Sequence, residues 1–180
     1  MRHVITESLA LPESAQIVFE NDVLTLSQSG TTLTRTIAVP ATLITLKGTT
    51  LTFHAPKGNK MQFKGIKSQL AHVKNMIRGL KEKYTYKLEA CNVHFPMTLK
   101  VEAGKLVITN FLGEKTPRYA LLPAGVDVVI KGTTLTITSP NREQAGQAVS
   151  VIEAATKVRK RDRRVFQDGI FLTERPGRAH

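Results

Sequence analysis

Apolar and polar residues alternate in short runs over most of this chain. Leu24 and Leu26 share one face of a run that begins at Val23. Leu33, Ile37 and Val39 alternate after Gly30, and Ile44/Leu46 and Leu51/Phe53 flank Gly48. A period of two marks strands with one buried face, and the Asn21-Asp22, Gly30 and Gly48 positions supply the turns. Together they predict an antiparallel meander joined by tight hairpins. Residues 1–14, with Glu7, Pro12 and Glu13, read as an arm entering the first strand at Ile17-Val18-Phe19.

The period then changes. Ile66, Leu70, Val73, Ile77 and Leu80 fall at i, i+4, i+7, i+11 and i+14, one face of a helix. Lys67, Lys74, Arg78 and Lys81 form a second stripe on that helix, roughly 90° round from the first at 100° per residue. Gly79 is an awkward residue inside it. Strand patterns return at Tyr84/Tyr86/Leu88, Val93/Phe95, Leu99/Val101, Leu106/Ile108, Tyr119/Leu121, Val126/Val128/Ile130 and Leu135/Ile137. Asn141 is a helix N-cap, with Glu143 and Gln144 in the first turn. Ala145, Ala148, Val149, Ile152 and Ala155 make a helical face of small apolar residues, predicted to run straight into a basic stretch.

The pattern repeats. Lys47-Gly-Thr-Thr-Leu-Thr52 recurs unchanged as Lys131 to Thr136, and Phe19 to Leu24 matches Val101 to Leu106 in pattern. In each half, hairpins precede one amphipathic helix. The fold class is therefore α+β, two tandem similar domains of roughly 1–83 and 84–180, each a small antiparallel sheet packed on one helix. The second adds a basic C-terminal extension.

Charge sharpens this picture. The net charge is +12 and the pI about 10.1, which points to polyanionic partners such as nucleic acid or an anionic membrane surface. Residues 57–83 hold eight Lys/Arg against one acid, and residues 156–180 hold eight against three. Between Lys157 and Arg164, six cations (Lys157, Arg159, Lys160, Arg161, Arg163 and Arg164) are interrupted only by Val158 and Asp162. Such a block is either a solvated helix end or a polyanion contact, and the overall charge and the Asp168-Gly169 turn behind it favour RNA. Arg forks pair with phosphate oxygens in bidentate fashion and Lys adds a point charge. Asp162 is expected to orient Arg159 or a neighbouring Arg. Phe166 is expected to be buried, the alternative being a base-stacking platform.

Other chemistry finds little support. His3, His54, His72, His94 and His180 show no metal-ligand spacing, and no nucleophile–base pair or phosphate-binding Gly loop is present, so no catalytic, metal or cofactor site is expected. The single cysteine, Cys91, excludes an intrachain disulfide and is expected to be a small core residue. No apolar run reaches the roughly 20 residues of a membrane helix, and the N-terminus lacks a signal-peptide core. A soluble, cytoplasmic chain is expected.

Three segments carry a family resemblance: Asn75-Met-Ile-Arg-Gly79, Asn110-Phe-Leu-Gly-Glu-Lys115 and Arg161-Asp-Arg-Arg-Val-Phe-Gln-Asp-Gly-Ile170. Over nearly its whole length the chain resembles the universal L6 family of large-subunit ribosomal proteins (bacterial L6 and eukaryotic L9 relatives). The last segment is closest to archaeal members. The resemblance implies two similar α+β domains and docking of the C-terminal one on large-subunit rRNA near the sarcin–ricin region, where translational GTPases act. It implies neighbouring ribosomal proteins as further partners. It also raises Lys115 and Arg118 to RNA-binding candidates, beside Gln167 of the basic stretch; the stripe Lys67, Lys74, Arg78 and Lys81, a second candidate contact to RNA or protein, gives the first domain more positive charge than the family pattern requires. A nucleic-acid-binding module outside the ribosome is the alternative.

Overall fold

A computed structural model describes residues 3–177. His180 and the extreme ends of both predicted repeats lie outside the described residues. The chain divides into two compact units between Glu82 and Lys83.

The first unit contains β1 (His3–Ala10), β2 (Gln16–Glu20), β3 (Val23–Gln28), β4 (Thr31–Thr36), β5 (Leu43–Lys47), β6 (Thr50–Gly58) and α1 (Lys60–Lys81). They form two antiparallel three-stranded sheets, β1-β6-β5 and β2-β3-β4. The second unit contains β7 (Tyr84–Cys91), β8 (Thr98–Glu102), β9 (Lys105–Thr109), β10 (Arg118–Leu121), β11 (Asp127–Lys131), β12 (Thr134–Ser139), α2 (Arg142–Ala155) and β13 (Gly169–Glu174). Its sheets are β10-β9-β8 and β11-β12-β7-β13. The fold class is α+β, with two sheets per unit where the sequence pattern suggested one.

The two units share one plan down to register. Leu9 on β1 faces Leu51 on β6, and Leu88 on β7 faces Leu135 on β12. The Leu11 amide donates to the Thr49 carbonyl (2.7 Å) as the Ala90 amide donates to the Thr133 carbonyl (2.8 Å). The repeated Lys-Gly-Thr-Thr string makes the same two-residue turn twice, with Gly48 and Gly132 at φ +57° and +61°, a conformation glycine adopts without steric cost.

Each unit has its own core. In the first, Leu24, Leu26, Ile37, Leu51 and Phe53 meet Ile66, Leu70 and Val73 of α1. Asn59 caps α1: its side chain accepts from the Met61 and Gln62 amides while Gln62 reaches back to the Asn59 amide. Gly79 lies buried within this helix. In the second, Leu88, Leu106, Ile108, Leu135 and Ile137 meet Ala145, Ala148, Val149 and Ile152 of α2. The Asn141 side chain accepts from the Glu143 amide at 2.9 Å, as the sequence predicted for this cap.

Several expectations are corrected. Residues 3–10 are a full strand rather than an arm; Glu7 interrupts the apolar alternation of Ile5 and Leu9 and so conceals it. Glu7 takes an inner-face position and pairs with Lys67 of α1 at 2.7 Å. Cys91 is exposed, because Tyr84, Tyr86, Leu88 and Ala90 take the inward positions of β7 and parity turns Cys91 outward. Val93 and Phe95 lie in the loop between β7 and β8. Finally, α2 stops at Ala155 and does not continue into the basic block. A helix there would stack Lys157, Lys160, Arg161 and Arg164 on one face at i, i+3, i+4 and i+7, a row of like charges.

Candidate nucleic-acid interface

The basic stretch is a loop of residues 157–168, pinned at both ends. At its start, Thr156 is buried; its hydroxyl accepts from the Ile170 amide at 3.0 Å and lies 3.4 Å from the Ile152 carbonyl, which it can donate to. Val158 turns into the core beside it. At its end, buried Asp168 accepts a hydrogen bond from the Val93 amide at 3.0 Å, and Ile170 is buried as β13 pairs with β7. The Leu172 amide donates to the Glu153 carboxylate at 3.0 Å, tying β13 to α2. Buried anchors at 156, 158, 168 and 170 leave the cations between them facing solvent.

Within the loop, Asp162 organises a tight turn. Its carboxylate accepts from the Arg164 amide (2.9 Å) and guanidinium (2.8 Å), and its carbonyl accepts from the Val165 and Phe166 amides. Hydrogen bonds from the Arg164 side chain, then from its backbone, hold the Asp162 carboxyl below the usual carboxylate range. Asp162 thus orients a neighbouring arginine, and that arginine is Arg164. The Arg161 guanidinium lies 4.7 Å from the centre of the half-buried Phe166 ring. Gln167 donates to the Arg164 carbonyl at 3.0 Å. Lys157, Arg159, Lys160 and Arg163 are exposed, and their side chains make no ion pair or ring contact among the described residues.

The other candidates divide. Lys115 is exposed after a short 3-10 turn at Phe111–Gly113. Arg118 is drawn inward. It binds Glu114 through two nitrogens (2.8 and 2.6 Å), donates to the carbonyls of Ala155 (2.9 Å) and Lys157 (3.3 Å), and covers the buried Phe111 ring at 4.2 Å. It therefore fastens the start of the basic loop to β10. The Arg118 hydrogen bonds hold the Glu114 carboxyl below its ordinary value, with Arg161 adding a smaller attraction. In the first unit, Lys74 and Lys81 are exposed, Lys67 is occupied by Glu7 and lies 5.4 Å from the Phe63 ring centre, and Arg78 is half-buried with an internal contact.

Sequence reasoning found the cations but not their supports. Thr156 lies in the expected run of the helix into the basic stretch, Asp168 reads as a turn residue, and Arg118 as an RNA-binding cation. Among the described residues no three His, Cys, Asp or Glu side chains gather to hold a metal, and no helix is long and apolar enough to cross a membrane.

Known proteins resemble this chain closely. The family pattern described as Ribosomal protein L6 matches residues 95–169, a span that takes in the Arg118 clamp and the whole basic loop. A large ribosomal subunit protein uL6 of Methanobrevibacter smithii is 36% identical over 168 residues, covering 93% of this chain and 94% of the relative. That of Haloarcula marismortui is 34% identical over 171 residues (95% and 96%), and that of Methanococcus vannielii 33% over 176 (98% and 97%). Aligned almost end to end with these archaeal proteins, the chain belongs to the ribosomal protein L6 family.

Proposed function

We propose that this chain is a structural constituent of the large ribosomal subunit, a non-enzymatic protein that docks on rRNA through the loop 157–168 of its second unit. One observation carries the reading: a run of cations is fastened at both ends by hydrogen bonds to the buried Thr156 and Asp168 side chains, yet Lys157, Arg159, Lys160 and Arg163 are left exposed and without acidic partners among the described residues. A prepositioned set of cations binds phosphates with little side-chain and loop ordering to offset. Contacts of this kind set position and read the shape of a folded RNA. Lys115 extends the surface, Arg164 and Gln167 shape the turn, and Arg118 holds the loop in place. In the bound state the loop sits near the sarcin–ricin region, where translational GTPases act, with neighbouring large-subunit proteins around it. The first unit, through Lys74 and Lys81, supplies a second and weaker contact.

The test is binding of the large-subunit rRNA as a function of salt. Replacing Arg159, Lys160 and Arg163 together by Ala is expected to flatten the slope of log K against log salt by about 2–3, roughly one phosphate per cation. An unchanged slope would sink the proposal. Sedimentation of lysate separates the alternative, since a protein found only in light fractions would be a nucleic-acid-binding module outside the ribosome.

A further inference from the structure

Beneath the basic loop lies a cavity of about 830 Å³ within the second unit. Its size falls in the roughly 300–1,000 Å³ range of small-ligand sites. Its walls combine two chemistries. Lys157, Arg163 and Arg164 line it together with Val93, Phe166 and Phe171. Asp168 and Gln167 add polar groups. Anchoring the loop to the sheet does not require such a space, and phosphate contact alone does not require aromatic walls.

Phe171 is the informative residue. It is 40% exposed although it belongs to a paired strand. Its ring lies across Gly169, where an added Cβ would come within 2.8 Å of the ring. Gly169 thus leaves room for an aromatic ring against the backbone at the cavity wall. Phe166 faces the same space and also contacts the Arg161 guanidinium. Half-exposed aromatic rings beside unpaired cations suit one kind of ligand, an unstacked nucleobase whose own phosphates reach the cations.

We propose that this cavity receives a single base extruded from the bound RNA, which stacks on Phe171 or Phe166 while Lys157 and Arg163 hold the adjoining phosphates. The inference rests on the rRNA-binding reading above and names a second mode of contact at the same site. It would make binding sensitive to local RNA structure as well as to charge.

The experiment uses the full-length protein and two probes, large-subunit rRNA and a fully paired RNA duplex. Phe171→Leu keeps an apolar side chain in β13 but removes the ring, and Phe171→Tyr restores it. Phe171→Leu is expected to weaken rRNA binding by roughly 5- to 150-fold with the salt slope unchanged, and Phe171→Tyr to bind like the parent. A purely structural role for Phe171 would lower the melting temperature of the Leu variant and affect both RNAs alike, which would overturn the proposal. Cys91 lines the same cavity and is the only cysteine, so its alkylation rate reports occupancy. Large-subunit rRNA should slow alkylation and the paired duplex should not. Salt-dependent rRNA binding with full Cys91 reactivity, or equal protection by the duplex, would overturn the base-binding cavity and leave the phosphate contact standing. Absence of rRNA binding at any salt would overturn both.

Discussion

The two units are built on the same strand order and hairpin register, yet they treat the same edge differently. In the first, β1 lies at the margin of its sheet and carries an inward-facing charge, Glu7, neutralised by Lys67. Inward charges are one way a protein discourages further strand pairing at an edge. In the second, the corresponding strand β7 is covered by β13, and the chain needed to deliver that strand is the basic loop. The addition of one strand therefore fixes the position of the cations. An arginine on the fourth strand of each unit makes the same point. Arg35 on β4 meets Gln69 in the middle of α1, whereas Arg118 on β10 meets the carbonyls where α2 ends and the loop begins. In the first unit Lys74 and Lys81 ride on a solvated helix flank; in the second the exposed cations sit on a loop with buried anchors.

The largest test of this contrast is made at the equivalent leucines. Leu88 is fully buried between two neighbouring strands, whereas Leu9 is only partly buried at an edge. Leu88→Ala should cost about 2–5 kcal/mol and Leu9→Ala distinctly less. All three tyrosines (Tyr84, Tyr86 and Tyr119) belong to the second unit, so tyrosine fluorescence during urea unfolding reads the Leu88 variant, and amide hydrogen exchange within β6 and α1 of the first unit reads the Leu9 variant. Equal costs would show that β13 adds nothing to the packing of β7.

A smaller effect is expected at the loop anchor. Thr156→Val keeps the shape but leaves the buried Ile170 amide without its acceptor, at a cost of about 1–3 kcal/mol. The same fluorescence measurement checks it, and faster proteolysis within 157–168 should accompany it.

The Arg118–Glu114 clamp should contribute less still to stability, within about 1 kcal/mol, because the pair is partly solvated. Its pH dependence has a definite sign. The folded Glu114 carboxyl is held below its ordinary value of 4.5, so its contribution is fully present above that pH and is lost as pH falls through the lower folded value. Glu114→Gln should be less stable than the parent at neutral pH, and the difference should vanish once the pH has fallen below the lowered folded value. A difference that persisted in acid would show that charge is not what makes the clamp.

Lys74→Ala with Lys81→Ala should leave stability unchanged, as exposed substitutions do. It should reduce rRNA salt dependence by less than the triple substitution in the loop. A larger reduction would reverse the order of the two contacts.

The sequence determined the hairpins, the two helices and the repeat, because period-two and period-3.6 patterns and turn glycines are local properties of the chain. It also located the cations, since charge density needs no fold to be read. It hid β1, where an inward Glu7 makes sense only beside Lys67, a partner sixty residues away. It put α2 one step too far, because the repulsion among stacked cations and the bond between Thr156 and Ile170 are not visible in residue spacing. The tertiary structure alone decided that Arg118 fastens the loop while Arg163 stays free, and that Phe171 crosses Gly169 to wall a cavity. The physical reason is the same in each case: an arginine or an aromatic ring takes its role from the donors, acceptors and backbone it meets in space, and those come from segments far apart in the chain.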